Sequence, residues 1–118
     1  MSSMEQILVI DDDRAICEFI SKTLSHVGYQ VKVAYDEGEG IGLLEDCTQF
    51  KAVITDIRMP KKDGNEVAKY IRNSYKSKDI PVLAITGYSD EADRELFTCI
   101  FEKPFKMKDL LEMINSFQ

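Results

Sequence analysis

Six polar residues have types and positions that could do chemistry together: Asp11, Asp12, Asp13, Asp56, Thr86 and Lys103. Each stands at the end of a short apolar run. ILVI (7–10) leads into the three aspartates and AVIT (52–55) into Asp56. PVLAI (81–85) leads into Thr86, and CIF (99–101) reaches Lys103 one residue further on. Singly, each has a plain use: Asp56 can cap a turn, and Asp13 can cap a helix. Their shared placement is the signal, because in an open parallel sheet the C-terminal strand ends lie along one edge, where ligands bind. Clustered carboxylates raise each other's pKa unless a cation intervenes. Oxygen donors with no Cys or His beside them favour Mg²⁺, or Mn²⁺, over zinc. Mg²⁺ commonly takes one or two carboxylates together with phosphate oxygens, so such a site expects a phosphoryl group. Thr86 offers a hydroxyl and Lys103 a positive charge, both suited to phosphate oxygens. One carboxylate can act as nucleophile and form an aspartyl-phosphate, a transfer that needs mainly positioning and charge neutralisation.

Alternating strands and helices must position these groups. The apolar runs read as buried strands at 7–10, 30–34 (QVKVA), 52–55, 81–85 and 99–101. Lys32 interrupts the second, which places it nearer an edge. The first helix begins at Asp13 as N-cap and stops at Gly28, with Ile16, Phe19, Ile20, Thr23, Leu24 and Val27 as its core face. A second, over 36–47, has a thin face of Ile41 and Leu44 and is weakened by Gly38, Gly40 and Gly42. A third runs from Gly64 to about residue 75 and packs through Val67, Tyr70 and Ile71. Residues 90–97 can make only two turns of a fourth. Met107, Leu110, Leu111 and Ile114 face the last. Five such alternations imply right-handed βαβ units and a parallel sheet covered on both faces.

Composition narrows the function classes. The 118 residues suffice for one domain, and neither a linker nor a repeat is present. A chain of this size buries roughly 65% of its unfolded surface, enough for a core without staples. With 21 acidic against 15 basic residues the net charge is −6, which argues against nucleic acid or an acidic membrane as direct partner. MSSMEQ lacks the regions of a signal peptide, and no apolar run approaches the ~20 residues of a membrane span. Cys17, Cys47 and Cys99 are unclustered, which fits free thiols in a reducing cytoplasm. His26 reads as a surface residue, and Lys61-Lys62 as a solvated loop.

The set ILVIDDDR, VITDIRMPKKDG, AITGYS and FEKPF resembles the receiver domain of two-component response regulators, over essentially the whole chain, 1–118. The resemblance implies an α/β, flavodoxin-like, doubly wound five-stranded parallel sheet of order 2-1-3-4-5 with about five helices. It implies that Asp56 accepts a phosphoryl group from a phosphohistidine, on a sensor histidine kinase or a histidine phosphotransfer protein. Asp12, Asp56 and the Arg58 backbone carbonyl would bind Mg²⁺ directly, and Asp11 through water. Thr86 would follow the phosphoryl group inward and Lys103 would pair with it. A cis bond before Pro104 would aim that lysine. Asp13 falls outside the family's acidic pair and is kept as a helix cap. The expected role is signalling, not enzymatic beyond the domain's own phosphorylation and dephosphorylation. Phosphorylation would switch binding to a downstream effector protein or domain, in a monomer or a phosphorylation-dependent dimer.

Three positions depart from the family's pattern. Ile100 stands where an aromatic usually swings inward, and Phe101, facing the opposite side of its strand, is a poor substitute. The stretch from Thr86 to Lys103 is about five residues short, more than one turn of the fourth helix. That helix is therefore expected to be short or irregular, with output through another surface or an ordering change. Arg58 and Tyr88, two residues after Asp56 and Thr86, should screen in-line attack by water and give a slowly decaying phosphoryl state.

Two rival functions use the same residues. A haloacid-dehalogenase-like phosphatase would take Asp11 as nucleophile and Asp13 as acid/base. Against it, the chain is short, no acidic pair follows Lys103 at a later strand end, and Asp56 would have no role. A phosphorylation-independent interaction module on the receiver fold leaves the complete set of Asp11, Asp12, Asp56, Thr86 and Lys103 unexplained.

Overall fold

The apolar runs become the strands of one sheet. The computed structural model describes residues 5–46, 49–57, 64–74 and 76–117. Its strands are β1 (Gln6–Ile10), β2 (Gln30–Ala34), β3 (Phe50–Thr55), β4 (Val82–Thr86) and β5 (Cys99–Glu102). All neighbours pair in parallel, in the order β2-β1-β3-β4-β5 expected from the resemblance. The helices are α1 (Arg14–His26), α2 (Glu37–Asp46), α3 (Gly64–Asn73) and α4 (Met107–Ser116). Where a short fourth helix was expected before β5, there are two separate 3-10 turns, Ser89–Glu91 and Arg94–Leu96. No helix among the described residues is long and apolar enough to cross a membrane.

The sheet divides the core in two. On one face Ile7, Val9, Ile54, Leu83 and Ile85 pack with Cys17, Ile20 and Leu24 of α1 and Leu110 and Ile114 of α4. On the other, Leu8, Ile10, Val53, Val82 and Ala84 pack with Leu44 of α2, Val67, Ala68 and Ile71 of α3, and Phe97. The central strands are buried on both faces, which is why they read as unbroken apolar runs rather than alternating ones.

Local signals set the helix ends. Asp13 caps α1, accepting from the N–H groups of Ala15 (3.0 Å) and Ile16 (3.3 Å). At the other end Tyr29 N–H reaches Leu24 O and Gly28 N–H reaches Ser25 O, with Gly28 at φ 100°. This left-handed glycine closes a Schellman motif, and Tyr29 and Leu24 then bury together. Asp36 accepts from Glu39 N–H at 2.8 Å, and the Glu39 carboxylate accepts from Tyr35 N–H at 3.0 Å, a variant of the capping box that reaches one residue before the cap at the start of α2.

The core face of α1 needs a correction. Phe19 and Val27, expected inside, are each 54% exposed. The buried line is Cys17, Ile20 and Leu24. Cys17 behaves as a small apolar residue and draws the centre of the face towards itself. That leaves Phe19 about a third of a turn away, while Val27 lies past the last helical turn.

Arg72 holds a junction that no periodicity announces. Its Nε donates to Leu96 O (3.1 Å), and one terminal nitrogen donates to Lys78 O (2.9 Å) and Ile80 O (2.6 Å). One guanidinium thus joins α3, the approach to β4 and the second 3-10 turn. Hydrogen bonds from a charged donor are the stronger kind. Arg72→Ala is expected to cost about 2–3 kcal/mol in chemical denaturation, and Arg72→Lys to recover less than half, because an ammonium cannot present the fork.

Candidate functional site

Strand register brings the polar ends together. Ile10 pairs with Thr55, so Asp11 and Asp56 leave the sheet side by side. Their backbones continue the ladder: Asp56 N–H donates to Ile10 O at 3.0 Å and Asp11 N–H to Ala34 O at 3.1 Å. On the far side Thr86 pairs with Glu102, and Lys103 N–H donates to Thr86 O at 2.9 Å. Lys103 starts at the sheet edge, yet its long side chain crosses the end of β4. Its Nζ lies 3.2 Å from Asp56 Oδ2 and 3.5 Å from Asp11 Oδ2. The Lys103–Pro104 bond is cis, as expected.

Asp11 and Asp56 are buried and Asp12 is exposed at the mouth. One ligand oxygen from each lies within 4.8 Å of the others. Among the described residues, three carboxylates cluster beside one ammonium, which leaves that group of side chains with an excess of negative charge. The donors are all oxygen, the set a hard divalent cation prefers. Burial pushes the Asp11 carboxyl up to about 6, with the Asp13 N–H opposing and the Asp56 charge adding to the rise. For Lys103, burial works against the charge, but Asp11 and then Asp56 outweigh it and hold the ammonium above its ordinary value. The Cys17 thiol, 3.2 Å from Asp11 O, is pushed up to about 11 by burial first and the Asp11 charge second. It is a core residue and not a nucleophile.

The two oxygens of Asp56 have different neighbours. Oδ1 accepts from Ile57 N–H at 2.7 Å, whereas Oδ2 faces Lys103. Gly64, the first residue of α3, closes in from behind. Its N–H donates to Ile57 O at 2.7 Å, and a Cβ there would stand 2.2 Å from Asp56 O. Thr86 is fully buried, and its Oγ1 accepts from Tyr88 N–H at 2.9 Å. Tyr88 is 45% exposed.

Of the residues singled out in the sequence, Asp11, Asp12, Asp56 and Lys103 form one cluster, and Thr86 ends the strand beneath Lys103. Arg58, Lys61, Lys62 and Cys47 lie outside the described residues. Asp13 is absent from the carboxylate cluster and spends its carboxylate on the α1 cap, which removes the acid/base that a phosphatase reading requires. Ile100 packs with the cluster containing Phe97 and Phe101 with the opposite one, so the two do face opposite sides. Gly64, Asn65 and Arg72 were not found in the sequence, because their importance lies in contacts to distant backbone.

Comparison with known proteins follows the geometry. The family model described as "Response regulator receiver domain" matches residues 7–115. Response regulator MprA of Mycobacterium sp. (strain KMS) is 34% identical over 116 residues, covering 94% of this chain and 49% of that protein. MprA of Mycobacterium avium (strain 104) is 32% identical, over 94% of this chain and 50% of that protein. The chain thus spans about half the length of the curated relatives it matches. Among solved structures, the chemotaxis protein CheY4 of Vibrio cholerae superposes with a TM-score of 0.86 at 28% identity, covering 98% of this chain and 100% of that one. Response regulator protein TrrA of Thermotoga maritima, solved in complex with Mg²⁺-BeF, has a TM-score of 0.84 at 30% identity, covering 95% and 97%. A parallel five-stranded sheet with clustered carboxylates and a lysine at its C-terminal edge therefore has its relatives among signalling proteins: the chain belongs to the response regulator receiver domain family of two-component systems.

Proposed function

We propose that this receiver domain takes a phosphoryl group onto Asp56 from a phosphohistidine, carried by a sensor histidine kinase or a histidine phosphotransfer protein. The observation that carries the reading is the convergence of Asp11, Asp12 and Asp56 with the Lys103 ammonium at one sheet edge. In the transfer an Asp56 carboxylate oxygen forms the new bond to phosphorus. The bond from phosphorus to the donor imidazole nitrogen breaks, and that nitrogen keeps the electron pair and takes up a proton.

Each residue has a part in that step. Ile57 N–H holds Asp56 Oδ1, which leaves Oδ2, on the Lys103 side, as the attacking oxygen. Lys103 neutralises charge on the incoming phosphoryl oxygens, and the Thr86 hydroxyl donates to one of them. Asp11, Asp12 and Asp56 would hold Mg²⁺, with the Arg58 carbonyl completing the set. The ion would supply charge neutralisation for the phosphoryl oxygens. Phosphorylation then switches binding to an effector protein or domain.

A small acyl phosphate serves as donor in the test, with intact mass as the readout. The wild-type chain is expected to gain one phosphoryl group in Mg²⁺ and none after chelation. Lys103→Ala should slow uptake by about 10²-fold, the usual cost of one preorganised charge-stabilising group. Uptake that is indifferent to chelation and to Lys103 would overturn the reading.

A further inference from the structure

The segment between β4 and β5 lacks the internal hydrogen bonds of a helix, and α3 supplies what is missing. The two 3-10 turns are separated by Ala92 and Asp93, both in extended backbone, at φ −79°, ψ 134° and φ −79°, ψ 99°. Asn65 Nδ2 donates to Glu91 O at 2.8 Å, and Asn65 Oδ1 accepts from Asp93 N–H at 2.8 Å. The side-chain amide therefore brackets Ala92 as a neighbouring strand would, with its donor and acceptor each matched. Two helical turns further along α3, Arg72 takes Leu96 O.

Asn65 is also tied to both sides of the candidate site. It follows Gly64, whose backbone is pressed on Asp56 and Ile57. From the clamped turn, Glu91 N–H donates to Tyr88 O at 2.9 Å, and Tyr88 N–H donates to Thr86 Oγ1 at 2.9 Å. The path runs from the Asp56 backbone through Gly64 and Asn65 to the first 3-10 turn, and back through Tyr88 to Thr86. Ile100, meanwhile, is half-buried against the cluster that contains Phe97.

We propose that Asn65 is a positioning residue that couples the Asp56–Thr86 site to the 89–96 segment, in the place of an aromatic relay at Ile100. The proposal rests on the reading of Asp56 as phosphoacceptor. A phosphoryl oxygen is a charged acceptor and draws the Thr86 hydroxyl more strongly than the neutral Tyr88 N–H holds it. As Thr86 turns, Tyr88 N–H loses that acceptor, the first turn shifts with it, and the Asn65 clamp opens. In the resting chain the same clamp opposes that change, so coupling works in both directions.

Hydrogen exchange across 88–97, with and without Mg²⁺ and beryllofluoride as phosphoryl mimic, tests this on the 118-residue chain. In the wild type, loading is expected to speed exchange at Ala92, Asp93 and Leu96. In Asn65→Ala these amides should exchange fast from the start and show no further response. Beryllofluoride should bind about fivefold tighter or more, the lower range of ordinary site-to-site coupling, since the resting arrangement is no longer held. Asn65→Asp keeps an acceptor for Asp93 N–H but sets an anion against Glu91 O, and should lose the response in the same way. Wild-type exchange in both variants, or a loading response that survives in them, overturns the coupling. A wild-type chain that binds beryllofluoride with no change at 88–97 also overturns it. A wild-type chain that binds none overturns the phosphoacceptor reading as well.

Discussion

Gly64→Ala is expected to cost about 3 kcal/mol of stability and to slow phosphoryl uptake at Asp56 by at least about tenfold. The added Cβ would stand 2.2 Å from Asp56 O, 3.0 Å from Asp56 C and 3.2 Å from Ile57 Cα. All three are backbone atoms, so no side-chain rotation relieves the contact. Either α3 retreats or the end of β3 bends, and the second outcome moves the proposed acceptor. The helix-propensity gain of alanine over glycine, at most about 1 kcal/mol, is too small to offset this. Gly87 provides the contrast. It also lies beside the site, but a Cβ there meets nothing within 4 Å. Gly87→Ala should leave stability within about 0.5 kcal/mol of the wild type. Urea denaturation of the two variants checks the pair. Equal stabilities would show that α3 is not seated as closely on Asp56 as the contacts indicate.

Asp11→Asn is expected to stabilise the metal-free protein while weakening its response to Mg²⁺. Burial lifts the Asp11 carboxyl from 3.8 to about 6, so the folded chain holds this proton more tightly than the unfolded one. A raised carboxyl pKa contributes stability that is full below the unfolded value and lost as pH climbs through about 6. At neutral pH the ionised group therefore opposes folding, by up to roughly 3 kcal/mol at about 1.4 kcal/mol per pKa unit. Asparagine removes the charge but keeps an oxygen for the Asp13 N–H, and Lys103 keeps Asp56. A gain of about 1–3 kcal/mol at pH 7 is expected, shrinking towards zero as pH falls to about 4. Mg²⁺ should raise the melting temperature of the wild type and have little effect on the variant. A variant that is less stable than the wild type in the absence of metal would show that Asp11 is needed for packing and not held at a cost for binding.

The strands and the chemical cluster were legible in the sequence for a common reason. Ile7–Ile10, Ala52–Thr55 and Val82–Ile85 are buried on both faces, so burial alone writes them as apolar runs. A polar residue at the end of such a run is then conspicuous. Parallel pairing does the rest, bringing Asp11, Asp56 and Lys103 to one edge. The sheet order was legible only through the resemblance to receiver domains, because no residue pattern states which strand neighbours which. The shortness of the segment between Thr86 and Lys103 was legible only against the length usual in receiver domains, and its break into two 3-10 turns in place of a two-turn helix was not legible at all.

Other features have no periodic trace. Asn65 and Arg72 act on the carbonyls of Glu91, Leu96, Lys78 and Ile80, and side chain-to-backbone bonds at such separations leave no spacing to read. In sequence Arg72 is one more charge on a helix, and Gly64 is one more turn residue. In sequence Gly40 reads as a helix-weakening glycine, yet a Cβ there would fall 2.5 Å from Ile10 Cδ1, so the close seat of α2 on β1 gives it a use. Phe19 and Val27 misled because six residues shared a broad stripe, and only packing chose Cys17 over Phe19 as its centre.

The central claim is that Asp56, and not Asp11, is the residue that carries the phosphoryl group. The most direct measurement is to load the chain with a small acyl phosphate in Mg²⁺, trap the acyl phosphate by borohydride reduction, and map the modified residue by peptide mass. Reduction at Asp56 alone, lost in Asp56→Asn, is the expected result. Modification at Asp11, or loading that persists in Asp56→Asn at the wild-type level, would contradict the account.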